Sequence, residues 1–409
     1  MKPLLIGGQW QSANNASENF NPSDVTDVVG TYAQAGAAET KSAIAAAADA
    51  WPDWSMSTPQ LRHDILKKAG DEILARCDEI GRMLSREEGK TLREGIAETV
   101  RAGHIFLFFA AEAVRLNGEK GASVRPGIDV EVTREPVGVV GVITPWNYPI
   151  AIPAWKIAPA LAFGNTVVFK PAELVPECAW QIADILSRSG LPAGVLNLVM
   201  GKGTIVGQAI VDDPRIDAIS FTGSVATGER IAAASAQHMR RLQLEMGGKN
   251  PLIILDDADL ETAVHCAVDG SFFSTGQRCS ASSRLIVTED IHSRFIEAMV
   301  ERMRRLNVDH ALKPETEIGP VVDENQLQQD LDYIDIARKE GGNLRIGGEI
   351  LRREKRGHYF SPALITDTGN HMRINREEIF GPVASVIRVR DYEQALAVAN
   401  ETEFGLTAG

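Results

Sequence analysis

Apolar and polar residues change their spacing several times along the chain, and each change predicts a different element. Ala37 to Trp54 is rich in alanine, with a serine and acidic residues interspersed. From Leu61 to Arg82 the apolar positions are Leu61, Ile65, Leu66, Ala69, Ile73, Leu74 and Ile80, the period of a helix with one buried face. Glu98 to Leu116 continues the pattern around a strongly apolar centre, Ile105-Phe106-Leu107-Phe108-Phe109. The first third of the chain therefore reads largely as helices. From Ser123 the texture turns to alternation, with Val124, Ile128, Val130 and Val132 between other residues and an end at Pro136. That is the pattern of an exposed hairpin, whose edge needs a partner surface or a guard.

Short β runs then alternate with helical segments. Val137–Ile143 is followed by Ala154–Ala162, Thr166–Phe169 by Cys178–Ser189, Val195–Val199 by Ile205–Val211, and Ala218–Phe221 by Thr227–Ser235. A second block opens near Pro251 with Leu252-Ile253-Ile254-Leu255, and further strands are expected at Arg284–Val287 and Ala384–Val389. Largely apolar strands separated by helices imply parallel sheets covered on both faces. The fold class is α/β, with two parallel-sheet domains and a β arm inserted in the first.

The chain has 409 residues, enough for two or three domains, and 44% apolar with 24% charged residues is an ordinary globular composition. Its formal charge of −13 argues against a nucleic-acid binder, which more often carries a basic excess. No apolar run approaches the length of a membrane span, and the run after Met1 is too short for a signal peptide. The 4 cysteines, Cys77, Cys178, Cys266 and Cys279, show no CxxC pair and no metal-ligand spacing, and no metal is expected. This cysteine usage suits a reduced, cytoplasmic protein.

In open parallel sheets ligands bind beyond the carboxyl ends of the strands. Here those ends carry Thr144-Pro145-Trp146-Asn147, Lys170-Pro171-Ala172-Glu173 and Thr222-Gly223-Ser224, with Gly228 four positions on. Small residues opening a helix leave backbone N–H groups free for a pyrophosphate, and Lys170 with Glu173 would hold a ribose. A carboxylate there repels an extra phosphate, which favours NAD over NADP. Gly201-Lys202-Gly203 with Gly207 has the spacing GxGxxxG rather than GxGxxG and is read as a loop.

Cys279 lies in a polar stretch, Gly276-Gln277-Arg278-Cys279-Ser280, where Arg278, Arg284 or backbone N–H groups would raise the thiolate fraction. The other cysteines read as core fillers. Glu245, close to the pair Gly247-Gly248, has the accessible backbone that suits a general base. The 8 histidines form no HxxxH and no evident pairing with a cysteine, which disfavours a zinc enzyme and a papain-like hydrolase.

With these residues in place, the sequence resembles the aldehyde dehydrogenase superfamily. Thr144-Pro145-Trp146-Asn147-Tyr148-Pro149, Trp155-Lys156, Lys170-Pro171-Ala172-Glu173, Phe221-Thr222-Gly223-Ser224, Glu245-Met246-Gly247-Gly248-Lys249, Gly276-Gln277-Arg278-Cys279 and Glu377-Glu378-Ile379-Phe380-Gly381-Pro382 follow the family's order and rough spacing. The texture of 272–287 and 221–228 is most similar to the 2-oxoglutarate-semialdehyde dehydrogenase group. The resemblance implies Rossmann-like domains: NAD(P) binding over 1–122 and 138–246, an oligomerisation arm over 123–137, and a catalytic domain over 247–409. It implies Cys279 as nucleophile, Glu245 as general base, Asn147 with the Cys279 N–H as oxyanion donors, and Lys156 near the active site. Lys170, Glu173 and Ser224 would hold the adenosine and pyrophosphate of NAD or NADP, and Glu378 and Phe380 the nicotinamide ribose; Thr144, Pro145, Trp146 and Gly223 are further cofactor-binding candidates.

Arg278 is the candidate for holding a distal carboxylate, because its planar fork matches one. The expected substrate is a small ω-oxo acid such as 2-oxoglutarate semialdehyde; succinate semialdehyde and glycolaldehyde are alternatives. Family members usually continue for several tens of residues past a motif like Phe404-Gly405-Leu406-Thr407-Ala408-Gly409. The expectation is therefore a chain lacking the end of the catalytic domain and a strand that pairs with a partner subunit. A homo-oligomer, dimer or tetramer, is expected where that segment is present. Two readings compete: a catalytically silent relative, and a cysteine hydrolase that turns over esters without nucleotide.

Overall fold

The computed structural model describes residues 1–409. The chain forms two compact units, one of 1–19, 29–83 and 96–245, the other of 20–28, 84–95 and 246–409. The sequence reading kept 20–28 and 84–95 in the first domain, and the structure moves both to the second. Polar contacts explain the transfer. Within the second unit, Arg86 grips Asp27 through Nε and Nη2 at 2.8 and 2.5 Å. The Tyr359 hydroxyl donates to the Ser23 carbonyl at 2.7 Å, and Glu94 accepts the Ser274 N–H at 2.8 Å. Contacts between residues so far apart in sequence leave no mark on local hydrophobic period.

The first unit is built on a 7-stranded sheet. Val139–Ile143 and Thr166–Lys170 are buried at every position, as strands covered on both faces must be. They lie side by side and parallel, with Leu196–Leu198 beyond Thr166–Lys170 and Ala218–Thr222 on the other flank of Val139–Ile143. Arg241–Glu245 forms one edge, parallel to Ala218–Thr222. The opposite edge is antiparallel, Leu4–Ile6 followed by Gln9–Gln11. Helices Ala37–Ser55 and Ala151–Ala162 pack on the central strands.

Three expectations need correction here. The first third is not mainly helical at its start, since Leu4–Ile6, Gln9–Gln11, Asn15–Asn21 and Asp24–Gln34 are strands. Their polar composition, NASENFN in the third, hides them from a search for apolar alternation. The periodic run over Leu61–Arg82 is also two helices, Pro59–Ala75 and Cys77–Glu88, parted at Arg76. The β arm is present as Glu119–Ala122 antiparallel to Asp129–Val132, exposed throughout. It starts before Ser123 because Glu119 pairs with Val132 and leaves 123–128 as the turn.

The second unit holds a 5-stranded sheet. Asn250–Ile254, Ser282–Thr288, Val383–Val389 and Ala363–Thr368 follow one another in parallel, and Asn343–Ile346 closes the edge antiparallel. Its core joins Phe272, Leu285, Val287, Phe295, Met299, Tyr359 and Val386 between the sheet and the helices Leu260–Phe272 and Glu289–Arg304.

Candidate active site

The candidate residues divide between the two units. In the first, Val139–Ile143 lies mid-sheet; the chain moves to one flank for Thr166–Lys170 and returns to the other for Ala218–Thr222. That reversal is a topological switch point, and because these strands are parallel their carboxyl ends share one edge. Thr144-Pro145-Trp146-Asn147, Lys170 and Gly223-Ser224 are therefore brought to one rim by topology.

Asn147 is buried, in the turn that leads into the helix Ala151–Ala162. Glu98 fixes that turn, its Oε1 accepting the N–H groups of Ile150 and Ala151 at 2.9 and 3.0 Å. A carboxylate on two first-turn N–H groups also complements the helix dipole. On the same helix, Lys156 is buried and donates to Ser220 Oγ at 2.9 Å and Gln243 Oε1 at 2.8 Å. Burial pulls its ammonium down to about 8, partly offset by the nearby Glu245 charge. Glu245 ends the edge strand, its side chain exposed and its carbonyl accepting the Gly223 N–H at 3.1 Å.

Lys170 is buried at its strand end, and burial lowers its ammonium against the opposing pull of Glu173. The exposed Glu173 carboxylate accepts the Gly203 N–H at 2.8 Å. The Gly201-Lys202-Gly203 stretch, read above as a loop, thus meets the Lys170–Glu173 pair. Residues Gly203–Gly207 form a π-turn there, a feature frequent at functional sites. Ser224 starts the helix Val225–Ala236, but its hydroxyl contacts Thr227 Oγ1 at 3.0 Å and makes no cap to the first-turn N–H groups. A buried amine, an exposed carboxylate and a helix N-terminus without a side-chain cap, all on one rim, fit the ribose and pyrophosphate of a dinucleotide.

In the second unit the candidates lie at the amino ends of strands, contrary to the carboxyl-end rule. Lys249 precedes Asn250–Ile254, Cys279 precedes Ser282–Thr288, and Phe380 precedes Val383–Val389. The three strands are parallel, so these starts share one edge. Ser274, Thr275 and Gly276 all adopt left-handed backbone, with φ of 49°, 57° and 68°. Two consecutive non-glycine residues there are strained and must be held from outside. Glu94 binds the Ser274 N–H, Thr275 Oγ1 donates to the Gly319 carbonyl at 3.3 Å, and Gln277 Oε1 accepts the Val322 N–H at 2.9 Å. Just beyond, Asn250 Nδ2 donates to the carbonyls of Cys279 at 2.7 Å and Ala281 at 3.0 Å. The half-buried Cys279 thiol is therefore carried on backbone fixed on both sides.

Glu378 accepts the Gly248 N–H at 3.1 Å, and burial raises its carboxyl against the opposing effects of that bond and of Lys249. Phe380 is left-handed too, at φ 62°. The Ile379 carbonyl before it is clamped by Gln326 Nε2 at 3.0 Å and Gln329 Nε2 at 2.6 Å. Arg278 turns Nη2 to the carbonyls of Asp269 and Gly270 at 3.0 and 2.7 Å, at the C-terminus of the helix Leu260–Phe272, while its Nε is buried without a partner. Sequence reasoning missed Asn250, Gln243 and the Gln326–Gln329 clamp. The signal for Gln243 was its place two residues before Glu245, had Arg241–Glu245 been read as a strand.

The sequence profile of the aldehyde dehydrogenase family matches residues 10–409. The chain is similar to the alpha-ketoglutaric semialdehyde dehydrogenase of Bacillus subtilis, 43% identical over 99% of this chain and 84% of that protein. It is also similar to the alpha-ketoglutarate semialdehyde dehydrogenase of Haloferax volcanii, 41% identical over 98% of this chain and 84% of the relative. Among solved structures, betaine aldehyde dehydrogenase from Staphylococcus aureus in complex with NAD+ superposes with a TM-score of 0.97 at 34% identity, over 100% of this chain and 82% of its own. Sequence motifs, sheet topology and likenesses over nearly all of this chain agree: the chain belongs to the aldehyde dehydrogenase family.

Proposed function

We propose that this chain oxidises an ω-oxo acid, with 2-oxoglutarate semialdehyde as the substrate favoured, to the carboxylic acid with NAD. The observation that carries the reading is Cys279, a half-buried thiol outside any disulfide, on backbone pinned by Asn250 on one side and by the strained Ser274–Gly276 turn on the other. A nucleophile held in one place needs less reorganisation at each turnover. The relatives from Bacillus subtilis and Haloferax volcanii support the choice of substrate.

Attack by the Cys279 thiolate converts the aldehyde carbon to a tetrahedral thiohemiacetal, and the oxyanion that forms needs donors already in place. The Asn147 side-chain amide, fixed through the turn that Glu98 caps, supplies one donor, and the Cys279 N–H the other. The chemistry a bound nicotinamide dinucleotide supplies is a two-electron acceptor for hydride. Lys170, Glu173, Gly223 and Ser224 would hold its ribose and pyrophosphate, with Glu378 and Phe380 at the nicotinamide ribose. After oxidation Cys279 carries the acyl group as a thioester. Glu245 then takes a proton from water, the hydroxide adds to the acyl carbon, and the Cys279 thiolate leaves.

For the distal carboxylate the candidate cation is Arg278, whose buried Nε has no partner within the protein. The reading includes a reducing, cytoplasmic setting, consistent with 4 cysteines outside any disulfide. It also takes the exposed pair Glu119–Ala122 and Asp129–Val132, with Val124, Val130 and Val132 open to solvent, as an arm for a second copy of the chain. The test is NADH absorbance with purified protein and a panel of ω-oxo acids, neutral aldehydes and betaine aldehyde. NADH formation with the acids that disappears in Cys279→Ala is expected, and turnover retained in Cys279→Ala would overturn the nucleophile.

A further inference from the structure

Strand Arg241–Glu245 alternates its side chains across the sheet, so Gln243 and Glu245 share a face. Its neighbour Ala218–Thr222 pairs in parallel, with Ser220 opposite Gln243 and Thr222 opposite Glu245. Lys156, from the helix Ala151–Ala162, reaches the same place. Its Nζ donates to Gln243 Oε1 at 2.8 Å and to Ser220 Oγ at 2.9 Å, and Ser220 Oγ in turn donates to Gln243 Oε1 at 2.5 Å. On the other end of the amide, Gln243 Nε2 donates to Glu245 Oε1 at 3.1 Å. The amide is thereby oriented: its oxygen faces an ammonium and a hydroxyl, its nitrogen a carboxylate, and a flipped amide would set N–H groups against both donors. Gln243 is exposed, where a glutamine has no packing reason to be fixed. Yet both of its polar ends are engaged, and between opposite charges.

We propose that Gln243 is a positioning residue for thioester hydrolysis, holding Oε1 of Glu245 and tying that carboxylate to Lys156, so that Oε2 is presented to the attacking water. The inference rests on the reading of Glu245 as general base. A carboxylate on an exposed strand end otherwise rotates freely, and a base acts only in the fraction of time it meets the water. One amide donor fixes the side chain while leaving the second oxygen open. Lys156 adds a positive end to the same chain of bonds, so the amide is held between an ammonium and a carboxylate.

The experiment compares Gln243→Leu with the wild type in rapid-mixing NADH measurements. Expected is an unchanged first-turnover rate, which reports thiol attack and oxidation, with a steady-state rate lowered about ten-fold, the worth of one hydrogen bond to a charged group. Hydroxylamine, which cleaves thioesters without a base from the protein, is expected to restore the steady-state rate. In a Glu245→Gln background, Gln243→Leu is expected to add less than two-fold, because the two act as one unit. Gln243→Ala read in the same way guards against misfolding of the leucine variant. A slowed first turnover, an undiminished steady state, or full additivity with Glu245→Gln would overturn the proposal while the functional reading stands. A wild type that forms no NADH with any aldehyde would overturn both.

Discussion

Lys249 offers the sharpest test of the energetics. Its side chain is fully buried and Nζ has no hydrogen-bond partner. Burial, reinforced by the Arg284 charge, pulls the ammonium from 10.5 down to about 7, with Glu378 and Glu377 opposing. The folded chain thus binds this proton more weakly than the unfolded chain. Unfolding takes up a proton between about pH 7 and the ordinary lysine range, so stability rises with pH across that window and is lowest below it. At roughly 1.36 kcal/mol per pKa unit, the amine costs the folded state on the order of 3–5 kcal/mol near neutral pH. Lys249→Met keeps an unbranched chain of similar length and removes the amine. After a discount for imperfect repacking, the expected gain is on the order of 2–4 kcal/mol at pH 7. That gain should shrink by about 1.4 kcal/mol per pH unit above about pH 7, where the folded amine is already neutral while the unfolded one is still charged. Urea unfolding of both proteins at pH 7, 8 and 9, compared through midpoints and slopes, measures it. A variant less stable than wild type at pH 7, or a difference that stays flat to pH 9, would refute the account of an unpaired buried amine.

The site makes further predictions. Asn147→Ala should lower turnover by about 10²–10³, the usual worth of one oxyanion donor, and an unchanged kcat would remove Asn147 from the chemistry. Gly276→Ala puts a Cβ against the Gly381 carbonyl at a left-handed position. It should destabilise the chain by at least about 1–2 kcal/mol and change the rate at which iodoacetamide alkylates Cys279; wild-type values of both would show that the turn yields easily. Arg278→Met should lower kcat/KM for acidic aldehydes at least about ten-fold relative to neutral ones, as for a lost charge-assisted hydrogen bond. An equal loss on both classes would leave Arg278 as a cap on the helix Leu260–Phe272 alone.

Much of this protein was legible without its structure. Strands buried on both faces, such as Val139–Ile143 and Thr166–Lys170, announce themselves as continuous apolar runs, because every position must leave water. The alternation of such runs with helical period gives the α/β class, and a glycine-flanked cysteine or a polar strand end stands out against the apolar background. The motifs around Asn147, Glu245, Cys279 and Phe380 pointed to the family before any coordinate. The N-terminal strands did not, because Asn15–Asn21 is too polar to signal a buried face. Nor did the assignment of 20–28 and 84–95 to the second unit, which rests on pairs such as Arg86–Asp27 and Tyr359–Ser23. Only tertiary structure joined Gln243 to Lys156, placed Gly203 against Glu173, or turned the Arg278 fork toward a helix end. Hydrophobic period records what each residue does toward solvent. A hydrogen bond between side chains far apart in sequence depends on which strands become neighbours and in what register, and that is settled only when the whole sheet closes.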